Sequence, residues 1–211
     1  MQFALVFSVL LCLAARSVAR KPHPCRAPPL LTGSLSLGST ENVWAYGRYI
    51  YDALGERIRF FEVGQYKNQS FGFDALLLYR EGVKYYINDK NRTCGKVALK
   101  QTFQPVEIPK NSTLVNQIVL GSSSGPGQGL LVNVWGGEVP EEQGKYMSTV
   151  TEFGCIPIST LYYSPKTGWT IISYFNIVQG VEDPNMLNPP PFCKDAKLIN
   201  SAAEDFFSTF L

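Results

Sequence analysis

Charge is scarce in this 211-residue chain: Asp, Glu, Lys and Arg together make up 17%, below the quarter usual in soluble proteins. The formal balance is +2, and no dense Lys/Arg run or long acidic run occurs. That argues against a polyanion such as a nucleic acid as partner. Histidine is almost absent. His23 stands alone, in the tail Lys21-Pro22-His23-Pro24, whereas a nucleophile-elbow hydrolase needs a His after its Ser, and none follows Ser122–Ser124. There is no CxxC pair to suggest zinc, no phosphate-binding glycine loop, and no apolar run of eighteen residues after the N-terminus. Residues of the hydrophobic set form 45% of the chain, which excludes disorder and supports one medium domain with a real core.

The N-terminus reads as a targeting segment. Ala4 to Ala15 is almost continuously apolar, too short to span a bilayer, and Ser17-Val18-Ala19 supplies the small residues a signal peptidase reads. Residues 1–19 are therefore expected to be removed, with residues 20–211 forming a single domain. Cys12 leaves with the signal. Cys25, Cys94, Cys155 and Cys193 remain, widely spaced, and four cysteines allow three pairings that spacing cannot choose between. Three sequons headed by Asn68, Asn91 and Asn111 lie in polar, loop-like stretches, as surface glycosylation in the secretory pathway requires.

The body of the chain is a series of short strands and turns. Strands are expected at Tyr46–Tyr51, Arg57–Val63, Phe73–Tyr79, Val83–Ile87, Leu114–Leu120, Leu130–Trp135, Met147–Phe153, Ser159–Tyr163 and Thr170–Gln179. Arg80-Glu81-Gly82 closes the clearest hairpin. Ser122–Gly129 is a flexible loop and Asn188–Pro191 a stiff connector. From Ala196 onward, Ala196, Ile199, Ala203 and Phe206 recur at helical spacing, which predicts a short C-terminal helix. The pattern is all-β, a sandwich or strongly curved sheets. Phe71, Phe73, Ala75, Leu77 and Tyr79 share one face of their strand, and Leu76 and Leu78 the other. Both faces are apolar, so a second packed layer and a ligand cavity are both open readings.

Chemistry-bearing motifs are weak. Gly121-Ser122-Ser123-Ser124-Gly125 matches a nucleophile elbow in letters, yet Pro126-Gly127 follows where a helix should begin. Asp89 opens a faint echo of a calcium-binding loop, but Cys94 and Lys100 stand where Gly and Glu are required. Scattered carboxylates such as Asp52, Asp74 and Asp183 mark no specific metal site. Glu141-Glu142 and Glu182-Asp183 read as solvated loop charges. The expectation is a protein that is not an enzyme.

Several segments in order resemble the ependymin-related family: Pro24-Cys25-Arg26-Ala27-Pro28, the hairpin Leu77–Val83, Cys94-Gly95-Lys96 after a sequon, Ile108–Thr113, Asp183-Pro184, and Pro189-Pro190-Pro191-Phe192-Cys193. Together they span nearly the whole mature chain. One departure is the cysteine count: some members carry six mature cysteines, and here there are four. The resemblance implies two curved antiparallel sheets stacked around a deep hydrophobic pocket, similar to bacterial lipoprotein carriers. It also implies a secreted or lysosomal glycoprotein, a homodimer, no obligatory cofactor but a link to calcium, and pairing of Cys25 with Cys155 and of Cys94 with Cys193.

Two functions follow from that resemblance. One is a carrier of lipids or other hydrophobic molecules. The other is an extracellular matrix or cell-adhesion glycoprotein linked to calcium, whose cavity is incidental. For the carrier, the most apolar strands place Leu76, Leu78, Tyr86, Ile118, Val134 and Tyr174 as pocket residues, with any strand open to a shift of one residue.

Overall fold

Residues of alternating character need a sheet with two environments, and the described residues supply twelve strands that form one. The computed structural model describes residues 21–67, 69–140 and 143–199. The expected signal, residues 1–19, lies outside them. The strands are β1 (Leu30–Ser39), β2 (Val43–Asp52), β3 (Arg57–Tyr66), β4 (Gln69–Leu78), β5 (Val83–Asn88), β6 (Thr93–Ala98), β7 (Thr113–Gly121), β8 (Gly129–Val139), β9 (Gly144–Thr151), β10 (Pro157–Ser164), β11 (Gly168–Gln179) and β12 (Leu198–Ile199).

Their order across the sheet is β12-β6-β5-β4-β3-β2-β1-β11-β10-β9-β8-β7. Each neighbouring pair from β6 to β7 in that order is antiparallel, and β12 adds parallel to β6. The architecture is thus two antiparallel meanders, β1–β6 and β7–β11, joined into one ladder at the β1–β11 seam. Hairpin connections keep most pairings local, while the seam joins residues far apart in sequence, such as Leu35 and Tyr174. A bulge at Thr32/Ser34 interrupts that seam.

One face of β1–β4 carries the main core: Leu31, Leu35, Tyr49, Tyr51, Ile58, Phe60, Ala75 and Leu77, with Ile172, Tyr174 and Ile177 of β11 packed against it. This face is covered by a strap, residues 99–112, and by the N-terminal segment beside it. The Ala27 amide donates to the Val106 carbonyl, the Ile108 amide to the Cys25 carbonyl and the Val106 amide to the Tyr51 hydroxyl. Arg26 and Glu107 bridge on the outside at 2.7 Å. A disulfide joins Cys25 to Cys155 and so ties the N-terminal segment to the β9–β10 turn.

The opposite face holds a second core of Ile50, Leu76, Leu78, Tyr85 and Ile87, packed under Leu187 and Cys193. Two short 3-10 turns, Pro184–Leu187 and Pro191–Cys193, bring those residues there. The Cys94–Cys193 disulfide anchors the second turn to β6. Arg59 anchors the first: it donates to both Asp74 oxygens at 2.8 and 2.6 Å and to the Met186 carbonyl at 2.8 Å. The helix expected from Ala196 begins on extended residues, since Leu198 and Ile199 form β12. Its remainder, residues 200–211, lies outside the described residues.

Candidate functional site

Under the strap lies a cavity of about 90 Å³ lined by Leu31, Leu35, Leu37, Tyr49, Tyr51, Ile58, Phe60, Glu62, Val106, Pro157, Ile172 and Tyr174. Strand parity builds it. Odd residues of β1 and β2 and even residues of β3 stand on one face, in register as Leu31–Tyr51–Ile58 and as Tyr49–Phe60. β11 completes the wall, with Tyr174 opposite Leu35 and Ile172 opposite Leu37. The Tyr49 and Tyr174 rings meet edge to face, 6.1 Å between centroids. The space is well below the roughly 300–1,000 Å³ that encloses a drug-sized ligand.

Two polar groups interrupt this apolar wall. Glu62 and Tyr49 are each only 5% exposed, and neither Glu62 Oε2 nor the Tyr49 hydroxyl has a hydrogen-bond partner among the described residues. Burial raises the Glu62 carboxyl to about 7, because the low-dielectric surroundings disfavour its charged form. Burial likewise raises the Tyr49 hydroxyl, with Tyr174 adding to the effect. Tyr174 is pushed up to about 12 by burial, partly offset by its hydrogen bond with Thr160.

Glu62 also borders a second, open groove of about 640 Å³ that includes Phe61, Val63, Phe73, Tyr86, Ile87, Asp89 and Lys90. The groove lies where β4 extends beyond its pairing with β5, which ends at Ala75–Tyr86. Glu62 therefore lines both the cavity and the groove.

Of the six pocket residues expected from sequence, Tyr174 lines the cavity. Tyr86 packs at the margin of the same core and faces the groove. Leu76 and Leu78 do not line it: their parity turns them to the second core, beneath Leu187 and Cys193. Ile118 is exposed on β7, and Val134 is half-buried on β8, away from the cavity wall. The difference is one of face. Both faces of β4 are apolar because both are covered, and alternation does not say which cover is chain and which is space. Apart from Tyr174, the sequence reading misses the cavity lining, including its two unpartnered polar residues, Tyr49 and Glu62. Glu62 shares parity with Ile58 and Phe60, and a carboxylate on the apolar face of a strand is a readable signal.

A family model described as Ependymin matches residues 67–193. Ependymin-2 of Carassius auratus is 35% identical over 208 residues, which cover 97% of this chain and 95% of that protein. This chain belongs to the ependymin family. Mammalian ependymin-related protein 1 of Mus musculus is 27% identical over 179 residues, covering 83% of this chain and 79% of that protein. Among solved structures, an uncharacterized conserved protein from Thermus thermophilus superposes with a TM-score of 0.53 at 8% identity, covering 82% of this chain and 91% of that one. That likeness concerns the fold alone.

In this ependymin-family chain the sequon residues Asn91 and Asn111 are exposed, and Asn68 lies outside the described residues. Ser123 is exposed in the β7–β8 loop and His23 in the N-terminal segment, far from one another in the chain. The carboxylates considered for calcium are engaged by their own chain. Asp52 binds Arg57, Asp74 binds Arg59, and Asp183 caps the Asn185 amide. Among the described residues no group of three or more His, Cys, Asp and Glu is placed to hold a metal ion. No helix among them is long and apolar enough to cross a membrane.

Proposed function

We propose that this ependymin-family chain is a secreted or lysosomal glycoprotein that carries a lipid or other hydrophobic molecule at the face of β1–β4 and β11 beneath the strap. The observation that carries this reading is the apolar cavity walled by Leu35, Phe60, Ile172 and Tyr174 and continued, past Glu62, by the open groove. Apolar burial supplies the binding, at roughly 25 cal/mol per Å² of apolar area removed from water. Uptake is accordingly insensitive to salt.

Two measurements test it. Organic extracts of natively purified protein should contain bound amphiphile. Folded protein stripped of it should take up a fluorescent fatty acid or a neutral apolar dye. Ile172→Trp, which fills the cavity, should reduce uptake, while Lys110→Ala leaves it intact. A folded wild-type protein that takes up no amphiphile between about pH 5 and pH 7.5 excludes the carrier reading.

A second reading, adhesion or self-association at the surface, is favoured by a different observation. The β7–β11 half exposes Val115, Val119, Leu120, Leu130, Met147, Ile171, Phe175 and Val178, and β7 is an open sheet edge. Such a surface suits a homodimer or a matrix contact. Sedimentation at micromolar concentration checks it: a monomer throughout argues against the dimer.

A further inference from the structure

Glu62 and Tyr49 are diagonal neighbours across the β2–β3 pair, since Glu62 stands opposite Gly47. Each leans over a glycine. A Cβ added at Gly47 would meet Glu62 Cγ at 2.5 Å, and one added at Gly33 would meet the Tyr49 hydroxyl at 3.0 Å. The two glycines thus leave room for both polar side chains to lie flat along the cavity floor. Glu62 Oε2 and the Tyr49 hydroxyl are both buried without a partner among the described residues. Folding alone gains nothing from that arrangement, because a buried polar atom left unpaired costs about 1–3 kcal/mol. A leucine at position 62 and a phenylalanine at 49 would fill the same space without that cost. Two such groups on one small cavity are what a site holding a polar ligand atom would contain.

The chemistry of the pair specifies the ligand. Glu62 Oε2 accepts hydrogen bonds, and when ionised it does nothing else. The Tyr49 hydroxyl both donates and accepts. A head group that donates, such as an ammonium or a hydroxyl, pairs with both. A carboxylate head placed there faces the Glu62 carboxylate and is repelled. The cavity of about 90 Å³ has room for a head and the first atoms of a chain, and the adjoining groove of about 640 Å³ has room for a tail along Phe73 and Tyr86.

We infer that Glu62 and Tyr49 form a head-group site selecting single-chain amphiphiles whose head donates hydrogen bonds, a long-chain amine above all, against fatty carboxylates. The inference rests on the carrier reading and adds the identity of the anchor. The other titratable groups lining the cavity and the groove are Tyr51 on β2, Asp74 on β4, Tyr86 on β5, Tyr174 on β11, and Asp89 and Lys90 in the turn after β5, with the buried Lys84 ammonium 5.1 Å from the Tyr86 ring centroid.

The experiment is competition at about pH 8 for the neutral dye N-phenyl-1-naphthylamine bound to the full-length secreted protein. The competitors are hexadecylamine, hexadecanol and hexadecanoate, each below its aggregation limit. Hexadecylamine is expected to displace dye at a concentration about tenfold lower than hexadecanoate, the difference one charged hydrogen bond makes. Glu62→Gln, nearly isosteric, should bring that ratio to about one, each competitor being read against the variant's own dye affinity. Tyr49→Phe should weaken hexadecanol severalfold relative to the variant's own dye affinity. Dye uptake without head-group preference, or a preference unchanged in Glu62→Gln, overturns this inference and leaves the carrier reading standing. Failure of the folded wild-type protein to bind the dye at all overturns both.

Discussion

Glu62 crosses the backbone of Gly47 on the neighbouring strand. A Cβ at position 47 would collide with Glu62 Cγ and with the Phe61 carbonyl oxygen. Gly47→Ala must therefore displace the Glu62 side chain and also shift the β3 backbone away from β2. The expected loss is about 1–3 kcal/mol, as for other overpacked sites. Chemical denaturation of the two proteins measures it. An unchanged midpoint would mean that Glu62 does not lie over Gly47.

The buried Glu62 carboxyl makes stability depend on pH in an unusual direction. Its pKa rises from 4.5 to about 7 on folding, so the folded state holds an extra proton between those values. Stability then falls as pH rises through that window, and the penalty is complete above about 7. At 1.36 kcal/mol per unit the ceiling is about 3 kcal/mol. Glu62→Gln should raise the melting temperature at neutral pH, leave it unchanged near pH 4, and remove this component of the slope between. A variant melting like wild type at pH 7.5 would show that the carboxylate is already satisfied there.

Arg59 and Asp74 form a pair whose side chains are 5% and 14% exposed, and Arg59 also holds the Met186 carbonyl. Asp74→Ala leaves a buried guanidinium without its counter-charge, which costs about 3–5 kcal/mol. The 184–187 turn should loosen with it. Hydrogen exchange should rise at Met186 and Leu187 before it rises in the strap. Replacing both partners by Arg59→Met and Asp74→Leu should cost less than the single change, because no charge is left buried.

The two disulfides close separations of 130 and 99 residues. Loss of either should cost about 2–5 kcal/mol. The local consequences differ. Cys25→Ala with Cys155→Ala frees the N-terminal segment and strap over the cavity, so ligand exchange should quicken. Cys94→Ala with Cys193→Ala frees the cover of Leu76 and Leu78, so exchange should stay as it was while protease sensitivity near Pro190 rises. Peptide mapping without reduction should recover Cys25 with Cys155 and Cys94 with Cys193. A Cys25–Cys94 peptide would exclude this arrangement.

Asn91 and Asn111 stand exposed in their sequons. Glycosidase treatment of secreted protein should lower its apparent mass in at least one step for each. Absence of any shift would speak against both passage through the secretory pathway and the carrier role proposed there.

Much of the fold is local and therefore legible. Alternation over Arg57–Val63 and Phe73–Tyr79, with turn residues between, determined strands and hairpins, because side chains on a pleated strand sort by parity. β1 is not legible in this way. Leu30–Ser39 is built of Leu, Gly and Ser with little β-branched or aromatic content, yet it is the strand at the seam joining both meanders. β6 escapes for the same reason: Thr93–Ala98 has weak strand chemistry and gains its place from β5 and β12. Parity alone also determined that Glu62 shares a face with Phe60 and that Leu76 and Leu78 face away from it. Only the tertiary structure decided what covers each face. The 3-10 turns, held by Arg59 and Cys94, fill one side, and the strap beside the disulfide-tied N-terminal segment roofs the other and leaves space beneath. Those covers come from segments more than twenty residues away from the strands they contact. No local period encodes which of two apolar faces a distant segment will fill.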